Sequence, residues 1–271
     1  MIKKGIILAG GFGTRLSPLT KAVNKQLLPV HDKPMIFYPL SVLMLANIRN
    51  ILMIVNPGQI NNFKNLLGNG SKFGINIQYK IQNKPKGLPD AFKLGKTFIK
   101  KDNVALILGD NFFYGQSLTK NLKDCVKLKY GAKVFLHPVK NPNLYGAAKI
   151  NNKKKIISLI EKPKITNSNL AVTGLYFFDN NVIKFSKKLK PSKRNELEII
   201  DLLNKYKIKN NLTAEFLGRG GAWLDTGSIS DYYKTSNFVQ AIENRQGLKI
   251  ACLEEIALLN KWIGQKQVKN Q

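Results

Sequence analysis

The chain is poor in the residues from which metal centres and disulfide frameworks are built. Among its 271 residues are 2 cysteines, 2 histidines and 16 acidic residues. Cys125 and Cys252 lie far apart and neither has a C-x-x-C partner, so neither a zinc site nor a disulfide framework is expected. With only His31 and His137, a multi-histidine metal site is not expected either.

Long apolar runs are also missing. No run approaches the roughly 18–20 residues that a helix needs to span a bilayer. The first strand begins almost at the N-terminus, which leaves no room for a signal peptide. We therefore expect a soluble cytoplasmic protein without a membrane partner. With 44% hydrophobic residues, the chain can bury a large core.

Acidic residues are outnumbered by 44 basic ones, which gives a net charge of +28. Such a charge is typical of nucleic-acid or membrane surfaces, but it also arises from a general lysine bias. The basic residues are scattered, no zinc-finger or basic-zipper spacing accompanies them, and the densest run, Lys153–Lys155, is typical of a hairpin turn. We favour the lysine bias and expect no nucleic-acid partner. The charge would still attract anionic substrates.

A glycine-rich segment follows the first apolar run of the chain. Ile6–Ala9 is typical of a short buried strand, and after it come Gly10, Gly11, Gly13, Thr14 and Arg15. Glycines let backbone N–H groups approach an anion, and Arg15 adds a fork of donors. The segment predicts a phosphate-binding loop at the end of the first strand. The alternative is an ordinary strand-to-helix turn, which is less favoured because Lys25 adds a second cation nearby.

Two widespread phosphate motifs do not fit this loop or its surroundings. A G-x-G-x-x-G dinucleotide fingerprint that begins at Gly11 needs a glycine where Leu16 stands. A P-loop that ends in Gly95-Lys96-Thr97 needs a glycine where Asp90 stands. The loop therefore belongs to neither class.

Helical and strand patterns alternate through the first half of the chain. Helices are predicted at residues 35–46, 60–67 and 90–99, and strands at 50–55, 76–81 and 104–108. This order is typical of βαβ units and a mostly parallel sheet with both faces covered. The second half predicts strands at 131–139, 147–150, 156–160, 171–178, 213–217 and 222–224, with helices at 180–188, 196–205, 228–244 and 253–263. No repeat or linker divides the chain.

Two carboxylates stand at predicted strand ends. Asp110 follows the apolar strand 104–108, and Asp225 follows Trp223-Leu224. Ligands of open α/β sheets bind at the carboxyl ends of strands, and Mg²⁺ is often held by one or two carboxylates together with substrate phosphates. The residues alone leave open whether either aspartate is instead a helix cap or a turn former.

Taken whole, the sequence resembles the sugar-nucleotide pyrophosphorylases, most closely the short-form glucose-1-phosphate thymidylyltransferases. The matching motifs run in family order over nearly the whole chain. They are Leu8–Thr20, Lys25–Pro29, Asp32–Met35, Gln82, Gly87-Leu88, Leu108–Asn111, Tyr145-Gly146, Glu161–Pro163, Val172–Tyr176, Glu196–Glu198, Trp223–Gly227 and Glu243–Lys249.

The resemblance implies an α/β, Rossmann-like nucleotide-diphospho-sugar transferase fold with a mostly parallel mixed central sheet flanked by helices. We expect a single nucleotidyltransferase domain over residues 1–271. Residues 1–130 would form its nucleotide-binding half, 131–227 its sugar-binding half and 228–271 a C-terminal helical segment that is short for the family.

The resemblance also implies the reaction. The expected substrates are dTTP and glucose 1-phosphate, and the expected products are dTDP-glucose and pyrophosphate, with Mg²⁺ held by Asp110 and Asp225. In the family this is the first step of dTDP-rhamnose-type deoxysugar synthesis for surface polysaccharide, and the enzyme is a homotetramer. Two alternatives remain: the same chemistry with UTP or another triphosphate, and a catalytically silent nucleotide-sugar-binding homologue.

Residue roles are carried over by position. Arg15 and Lys25 would be catalytic, because they stabilise the triphosphate and the charge at the α-phosphoryl group. The expected nucleotide-binding residues are Leu8, Gly10, Gly11, Gly13, Thr14, Arg15, Lys25, Gln26, Gln82, Gly87 and Asp110. The expected sugar-phosphate-binding residues are Tyr145, Gly146, Glu161, Lys162, Val172, Thr173 and Trp223.

Two of these roles have residue-level alternatives. The amide of Gln82 matches the N3–H and O4 edge of thymine or uracil equally well, and Gln82 could instead cap a strand. Lys162 precedes Pro163, which stops strand pairing, but in so lysine-rich a chain it could be a plain surface lysine.

Some positions depart from the family pattern. Ile160 replaces an acid, Asn195 a glycine and His31 a tyrosine, and Pro89 stands where a small residue is usual. Near the C-terminus, Leu258 and Leu259 replace a Tyr-Arg pair of a feedback region. We expect weakened feedback inhibition by the end product of the pathway.

Overall fold

The computed structural model describes residues 1–269, so the last two residues of the predicted C-terminal segment lie outside it. Strands and helices alternate along the chain. The strands are β1 (Lys4–Ala9), β2 (Pro29–Val30), β3 (Lys33–Pro34), β4 (Asn50–Val55), β5 (Asn76–Ile81), β6 (Val104–Leu108), β7 (Asn111–Tyr114), β8 (Ala132–Pro138), β9 (Gly146–Ile150), β10 (Ile156–Glu161), β11 (Leu170–Phe178), β12 (Leu212–Phe216) and β13 (Ala222–Asp225).

The α-helices are α1 (Phe37–Leu45), α2 (Ile60–Leu67), α3 (Asp90–Leu94), α4 (Lys96–Ile99), α5 (Leu118–Cys125), α6 (Asn181–Lys187), α7 (Ile199–Ile208), α8 (Ile229–Gln246), α9 (Leu253–Leu259) and α10 (Gln265–Lys269). Short 3₁₀ turns include Thr14–Leu16 and Lys25–Leu27. Among residues 1–269 no helix is long and apolar enough to cross a membrane. The predicted α/β class, with a central mostly parallel sheet and flanking helices, is confirmed.

The chain divides into two compact units. The N-terminal unit contains residues 5–83, 107–114 and the chain from Ala222 onward, and the middle unit contains residues 1–4, 84–106 and 115–221. The boundary falls inside β6. The sequence-based prediction of one domain with two halves remains a prediction.

Parallel pairing organises the sheet of the N-terminal unit. β4 pairs in parallel with β5, from Asn50 opposite Asn76 to Val55 opposite Ile81. The β4 side chains Ile51–Val55 are buried, as expected for a strand of a sheet covered on both faces. The N–H of Gly109 donates to the carbonyl of Leu8 (2.9 Å), so the segment after β6 lies beside the end of β1. This arrangement places two functional loops side by side.

A second apolar cluster of the N-terminal unit supports these loops. Buried side chains from the segment after β1, from the β2–β3 hairpin and from α1, β7 and α8 pack together. They are Leu16, Leu28, Val30, Met35, Tyr38, Phe112, Tyr232 and Val239. Residues between positions 16 and 38 are therefore anchored by packing, although this segment has little regular structure.

Antiparallel pairing dominates the middle unit. β9 pairs with β10, and β11 pairs with both β8 and β9, all antiparallel, while β12 pairs with β8 in parallel. Asn151 forms the β9–β10 turn, because its Oδ1 accepts from the N–H groups of Lys153 and Lys155. This confirms the hairpin predicted for the Lys153–Lys155 run.

Several sequence-based boundaries need correction. The single helix predicted at residues 90–99 is two short helices, α3 and α4, because Gly95 interrupts it. The helix predicted at 196–205 runs three residues later, as α7. The sequence analysis also missed β2, β3, β7, α5 and α10, which are short or lie beside segments with stronger signals.

Candidate active site

The glycine loop begins after Ala9, at the end of β1. The side chains of Gln82, Thr20 and Lys25 pack closely against its glycines. A methyl group on residue 10 would lie 2.7 Å from Gln82 Oε1, so a larger residue there would displace the buried amide of Gln82. Gly13 has left-handed backbone angles (φ 65°, ψ 30°), and a methyl group on it would lie 2.9 Å from Thr20 Cγ2 and 3.0 Å from Lys25 Cβ. Gly13 is thus required by its backbone conformation, and Gly10 packs closely against Gln82. The exposed residues of the loop are Gly11, Phe12, Thr14 and Arg15.

Lys25 and Asp110 form an ion pair beside this loop. Lys25 Nζ lies 2.6 Å from Asp110 Oδ2, and the lysine side chain is only 5% exposed. Burial alone would raise the pKa of Asp110, but the charge and hydrogen bond of Lys25 outweigh it and hold the pKa below its ordinary value. The carboxylate is therefore ionised at neutral pH, and the buried ammonium has a counter-ion.

A chain of hydrogen bonds orients the other oxygen of Asp110. Asn111 Nδ2 donates to Asp110 Oδ1 (2.9 Å), and Trp223 Nε1 donates to Asn111 Oδ1 (2.6 Å). The antiparallel pairing of β7 with β13, in which Asn111 lies opposite Asp225, brings these residues together. The same pairing places Asp225 beside the Asp110 segment, as the prediction of a shared site requires.

Arg15 and Asp225 both approach Gly227. A methyl group on residue 227 would lie 2.9 Å from Asp225 Oδ2, and 3.3 and 3.4 Å from Arg15 Nη2 and Nη1. The segment after β13 is held by Thr226, whose N–H and Oγ1 donate to the carbonyl of Asp110 (3.1 and 2.9 Å). Two acids and two cations of the predicted set therefore lie in one region of the N-terminal unit.

Two buried amide side chains complete this region. Gln26 is 3% exposed and its Oε1 has no hydrogen-bond donor within residues 1–269. Gln82 is buried next to Gly10, and its backbone N–H extends the pairing of β5 by donating to Val55. Unsatisfied buried polar atoms are rare in native proteins, so the Gln26 amide is a candidate ligand contact.

The sugar-phosphate residues predicted from the resemblance lie, except for Trp223, in the middle unit. Glu161 ends β10 opposite Gly146, and the N–H of Lys162 donates to the carbonyl of Tyr145 (3.1 Å). Lys162 is exposed and has a φ of 41°, which is unusual for a lysine. Tyr145, Gly146, Glu161 and Lys162 therefore form one cluster.

A charged group borders this cluster. Arg194 Nη2 lies 3.2 Å from Glu161 Oε1 and 2.7 Å from Glu198 Oε2. Burial, followed by the charge of Glu198, raises the pKa of Glu161 above its ordinary value, although Arg194 and Lys162 oppose the shift. Such a carboxyl is well suited to exchange hydrogen bonds with the hydroxyl groups of a sugar.

The remaining predicted residues are placed more separately. Val172 and Thr173 are buried on β11, where Thr173 Oγ1 donates to the Phe135 carbonyl (3.0 Å). Gly87 has a φ of 92°, and a methyl group on it would lie 2.1 Å from the Leu197 carbonyl oxygen, so the structure gives this glycine a packing role. Trp223 belongs to the N-terminal unit, where it contacts Asn111.

Four polar residues of these regions carried no role in the sequence analysis. They are Asn56, Asn111, Arg194 and Glu198. Asn111 and Glu198 stand inside the family motifs, which is a signal that could have identified them. Asn56 and Arg194 had no such signal, because the hydrogen bond of Asn56 and the contact of Arg194 with Glu161 depend on residues 45 and 33 positions away.

Comparisons with known proteins agree with this geometry. A nucleotidyl transferase family model matches residues 4–242. A glucose-1-phosphate thymidylyltransferase of Neisseria meningitidis serogroup A is 54% identical, over 98% of this chain and 92% of the relative. The chain belongs to the nucleotidyl transferase family. The sequence-based resemblance is thereby confirmed, and the chain is an enzyme of this family.

Further relatives show how far the likeness extends. A glucose-1-phosphate thymidylyltransferase of Xanthomonas campestris pv. campestris strain B100 is 49% identical over 98% of this chain and 90% of its own length. The structure of a Bacillus anthracis chain described by the same activity, in complex with sucrose, matches with a TM-score of 0.80 and 39% identity, over 87% of this chain and 94% of that one. A UDP-glucose pyrophosphorylase complexed with UDP-glucose matches with a TM-score of 0.78 and 28% identity, over 91% and 100%.

Proposed function

We propose that this enzyme transfers a thymidylyl group from dTTP to glucose 1-phosphate, which yields dTDP-glucose and pyrophosphate. The ion pair of buried Lys25 with partly exposed Asp110, beside the glycine loop, is the observation that carries the proposal. Burying a lysine ammonium is costly unless a counter-ion lies beside it. In a site that binds phosphates, such an ammonium can stabilise the negative charge that develops during the reaction. The relatives named for this reaction support the choice of substrates.

The reaction needs placement and charge neutralisation more than acid–base catalysis. An already ionised phosphate oxygen of the sugar attacks the α-phosphorus of dTTP. A new P–O bond forms, the bond from the α-phosphorus to the bridging oxygen breaks, and pyrophosphate leaves with the electron pair. In this scheme Arg15 and the loop amides hold the triphosphate, and Lys25 stabilises charge at the α-phosphoryl group.

Asp110 and Asp225 would hold Mg²⁺. The donor set fits this ion, because both residues offer carboxylate oxygens and the side chain of Asp110 is 26% exposed, within reach of a ligand. The carboxylate of Asp110 accepts hydrogen bonds from Lys25 and Asn111, and a carboxylate offers about four lone-pair sites in all. When bound, the ion would neutralise phosphate charge.

In the middle unit, Lys162 would bind the phosphate of glucose 1-phosphate. Glu161 and the backbone at Gly146 would hydrogen-bond the glucose hydroxyls. Arg194 holds Glu161 in place through the 3.2 Å contact and thereby orients it.

The experiment that tests the proposal is a measurement of pyrophosphate release from dTTP and glucose 1-phosphate, with and without Mg²⁺. We expect release only with both substrates and the ion. Asp110→Asn should lower kcat about 10²–10³-fold, by analogy with the loss of one group that stabilises transition-state charge. An Asp110→Asn enzyme with full activity would refute the metal assignment.

Base preference is tested separately with UTP, CTP and ATP at limiting concentration. The amide of Gln82 accepts thymine and uracil alike, and the UDP-glucose pyrophosphorylase shares the fold. A higher kcat/KM with UTP than with dTTP would establish the alternative substrate. Binding of dTTP without pyrophosphate release would establish a silent homologue.

The wider setting is also a proposal. dTDP-glucose would supply dTDP-rhamnose-type deoxysugar synthesis for surface polysaccharide in the cytoplasm, and the enzyme would act as a homo-oligomer, a tetramer as in the family. Size-exclusion chromatography with light scattering tests the assembly, and a monomer with full activity would contradict it.

A further inference from the structure

Two carbonyl groups of the glycine loop are held by side chains from outside it. Asn56 Nδ2 donates to the carbonyl oxygen of Gly11 (3.2 Å), and Thr20 Oγ1 donates to that of Gly13 (2.9 Å). Asn56 directly follows β4 and is 5% exposed. Gly11, Thr20 and Asn56 also border one depression of about 140 Å³. The loop is therefore held at two of its peptide groups, Gly11–Phe12 and Gly13–Thr14.

A hydrogen bond that fixes a carbonyl group also fixes the N–H group of the same peptide, which belongs to the next residue. A trans peptide is planar, so its C=O and N–H groups point in opposite directions. The cis peptide recorded within residues 1–269 is Ser17-Pro18, and the loop peptides are trans. Asn56 therefore turns the N–H of Phe12 away from itself, and Thr20 does the same to the N–H of Thr14.

These two N–H groups have no acceptor in the part of the chain that the structure describes. Both residues are exposed. Their N–H groups lie on either side of the Gly13 N–H, and consecutive N–H groups at such a turn form a concavity that binds anions. The left-handed Gly13 between them is the residue type that such a turn requires.

The hydrogen bonds of Asn56 show that a contribution to stability alone does not explain why an asparagine stands at this position. Its Oδ1 is buried without a donor within residues 1–269, a costly arrangement. An apolar residue of similar size would avoid that cost but would release the Gly11 carbonyl. Within residues 1–269, the side chain makes one hydrogen bond, and that bond is to the loop.

Thr20 shares its acceptor with the backbone. The carbonyl of Gly13 also accepts from the N–H of Leu16 (2.9 Å), which closes the short turn at Thr14–Leu16. Thr20 occupies the second lone pair of the same oxygen, and its Cγ2 packs against Gly13. The carbonyl is thus held by two donors.

We propose that Asn56 and Thr20 are positioning residues, which aim the N–H groups of Phe12 and Thr14 at the phosphates of the nucleoside triphosphate. The inference rests on the proposed function for the identity of the ligand. Neither side chain contacts the reacting atoms. The effect of both residues passes through the loop backbone.

The test compares four variants with the wild type. Thr20→Val removes the hydroxyl and keeps the shape, and Thr20→Ser keeps the hydroxyl. Asn56→Ala removes the other brace. Thr213→Val is the matched control, because Thr213 Oγ1 makes the same kind of bond, to the Ala132 carbonyl (3.3 Å), in the middle unit. Calorimetry with inorganic triphosphate measures anion binding, and steady-state kinetics measures both KM values.

We expect Thr20→Val and Asn56→Ala each to weaken triphosphate binding about tenfold, the effect of misaligning one hydrogen bond to a charged group. The KM for dTTP should rise by a similar factor while the KM for glucose 1-phosphate stays the same. Thr20→Ser and Thr213→Val should bind as the wild type does.

Three results would overturn the inference: equal triphosphate binding by Thr20→Val, Asn56→Ala and the wild type; a Thr20→Ser enzyme as weak as Thr20→Val; or a wild type that does not bind triphosphate. The proposed function fails by a different result. A wild type that binds triphosphate but releases no pyrophosphate from dTTP and glucose 1-phosphate would refute the reaction and leave the positioning roles intact.

Discussion

A buried lysine that meets a strand-end aspartate dominates the chemistry at the scale of single residues. Lys25 lies on the 3₁₀ turn Lys25–Leu27, which Asn24 caps by accepting from the N–H of Gln26 (3.0 Å). Asp110 lies between β6 and β7, and Asn111 and Trp223 orient its second oxygen. Each charge is held by the other, so changing either one affects both catalysis and stability.

Lys25→Met tests this coupling. We expect kcat to fall about 10²–10³-fold because a group that stabilises phosphoryl charge is lost. The pKa of Asp110 should rise, since the charge of Lys25 is what lowers it. A carbon-detected NMR titration of the Asp110 carboxyl would measure that shift.

The matched control is Lys127→Met, which breaks the 2.7 Å pair with Asp124. Both of those side chains are about half exposed or more, so the change should leave kcat unaltered and have little effect on stability. A Lys25→Met enzyme that behaves like this control would show that the pair is only structural.

Gly87 offers a steric prediction at a single position. Gly87→Ala places a methyl group against the Leu197 carbonyl at a φ of 92°. Gly58→Ala has a similar φ, 75°, and nothing within 4 Å. We expect Gly58→Ala to cost about 1–2 kcal/mol through backbone strain alone, and Gly87→Ala to cost about 1–3 kcal/mol more through overpacking.

Urea denaturation of the two glycine variants gives the comparison. Equal free energies of unfolding would mean that the backbone at Leu197 moves aside at no cost. In that case a role of Gly87 in reading the base would need evidence other than its tight packing.

At the scale of elements, α8 is tied to the β2–β3 hairpin by charge. Glu243, near the end of the helix, accepts from Lys33 Nζ (3.1 Å), Lys249 Nζ (3.0 Å) and the N–H of Ile250 (2.8 Å). Asp32 contacts the same two lysines. With His31 these acids form a group that could in principle hold a metal, but the two ammonium groups already neutralise it.

This network predicts a pH-dependent part of the stability. Burial raises the pKa of Glu243, but the hydrogen bonds from Ile250, Lys249 and Lys33 outweigh it and lower the pKa. The two lysines likewise outweigh burial at Asp32 and lower its pKa to about 2. Since both folded pKa values lie below the unfolded ones of about 4, the network stabilises the fold above pH ~4 and loses this effect as the pH falls toward 2.

Glu243→Gln should therefore lower the free energy of unfolding at pH 7 by roughly 1.5–3 kcal/mol, and the difference from the wild type should shrink as the pH falls below 4. Chemical denaturation at several pH values measures it. Glu255→Gln, on the exposed face of α9, is the control and should match the wild type throughout. A difference for Glu243→Gln that does not change with pH would contradict the network.

At the scale of the whole molecule, the net charge of +28 gives a prediction about association. Positive charge attracts dTTP and glucose 1-phosphate, and salt screens this attraction over a Debye length of about 8 Å at 0.15 M. The kcat/KM for dTTP should therefore fall as salt rises, with a smaller change in kcat.

The same experiment distinguishes substrate attraction from nucleic-acid binding. A gel-shift assay at physiological salt should show no stable complex with DNA, because the lysines are scattered along the sequence. A tight complex whose affinity falls steeply with salt would instead establish the DNA-binding alternative.

Much of the fold follows from local sequence patterns. Strands β4, β5 and β6 and helix α2 have the bounds that the sequence patterns predict. For β4 and β6 the reason is that a strand buried on both faces needs a nearly continuous apolar segment, which ends at polar or glycine residues. Gly95 divided a predicted helix, and β7 was hidden, since its four residues follow directly after Asp110 and resemble a loop. Short strands and helices are stabilised mainly by contacts with residues that are distant in the sequence. Local sequence patterns do not show which residues those are.

The candidate site, like the fold, could be predicted from the sequence only where it depends on local motifs. The sequence by itself determined the glycine loop and the family, and it predicted site roles for Lys25, Asp110, Asp225 and Gln82. Lys25, Asp110 and Asp225 could be singled out because each belongs to a motif of neighbouring residues. Only the tertiary structure decided that Lys25 meets Asp110, that Trp223 contacts Asn111 and that Asn56 holds the loop. These pairs are separated by 85, 112 and 45 positions, and chain folding alone brings such distant residues into hydrogen-bond distance.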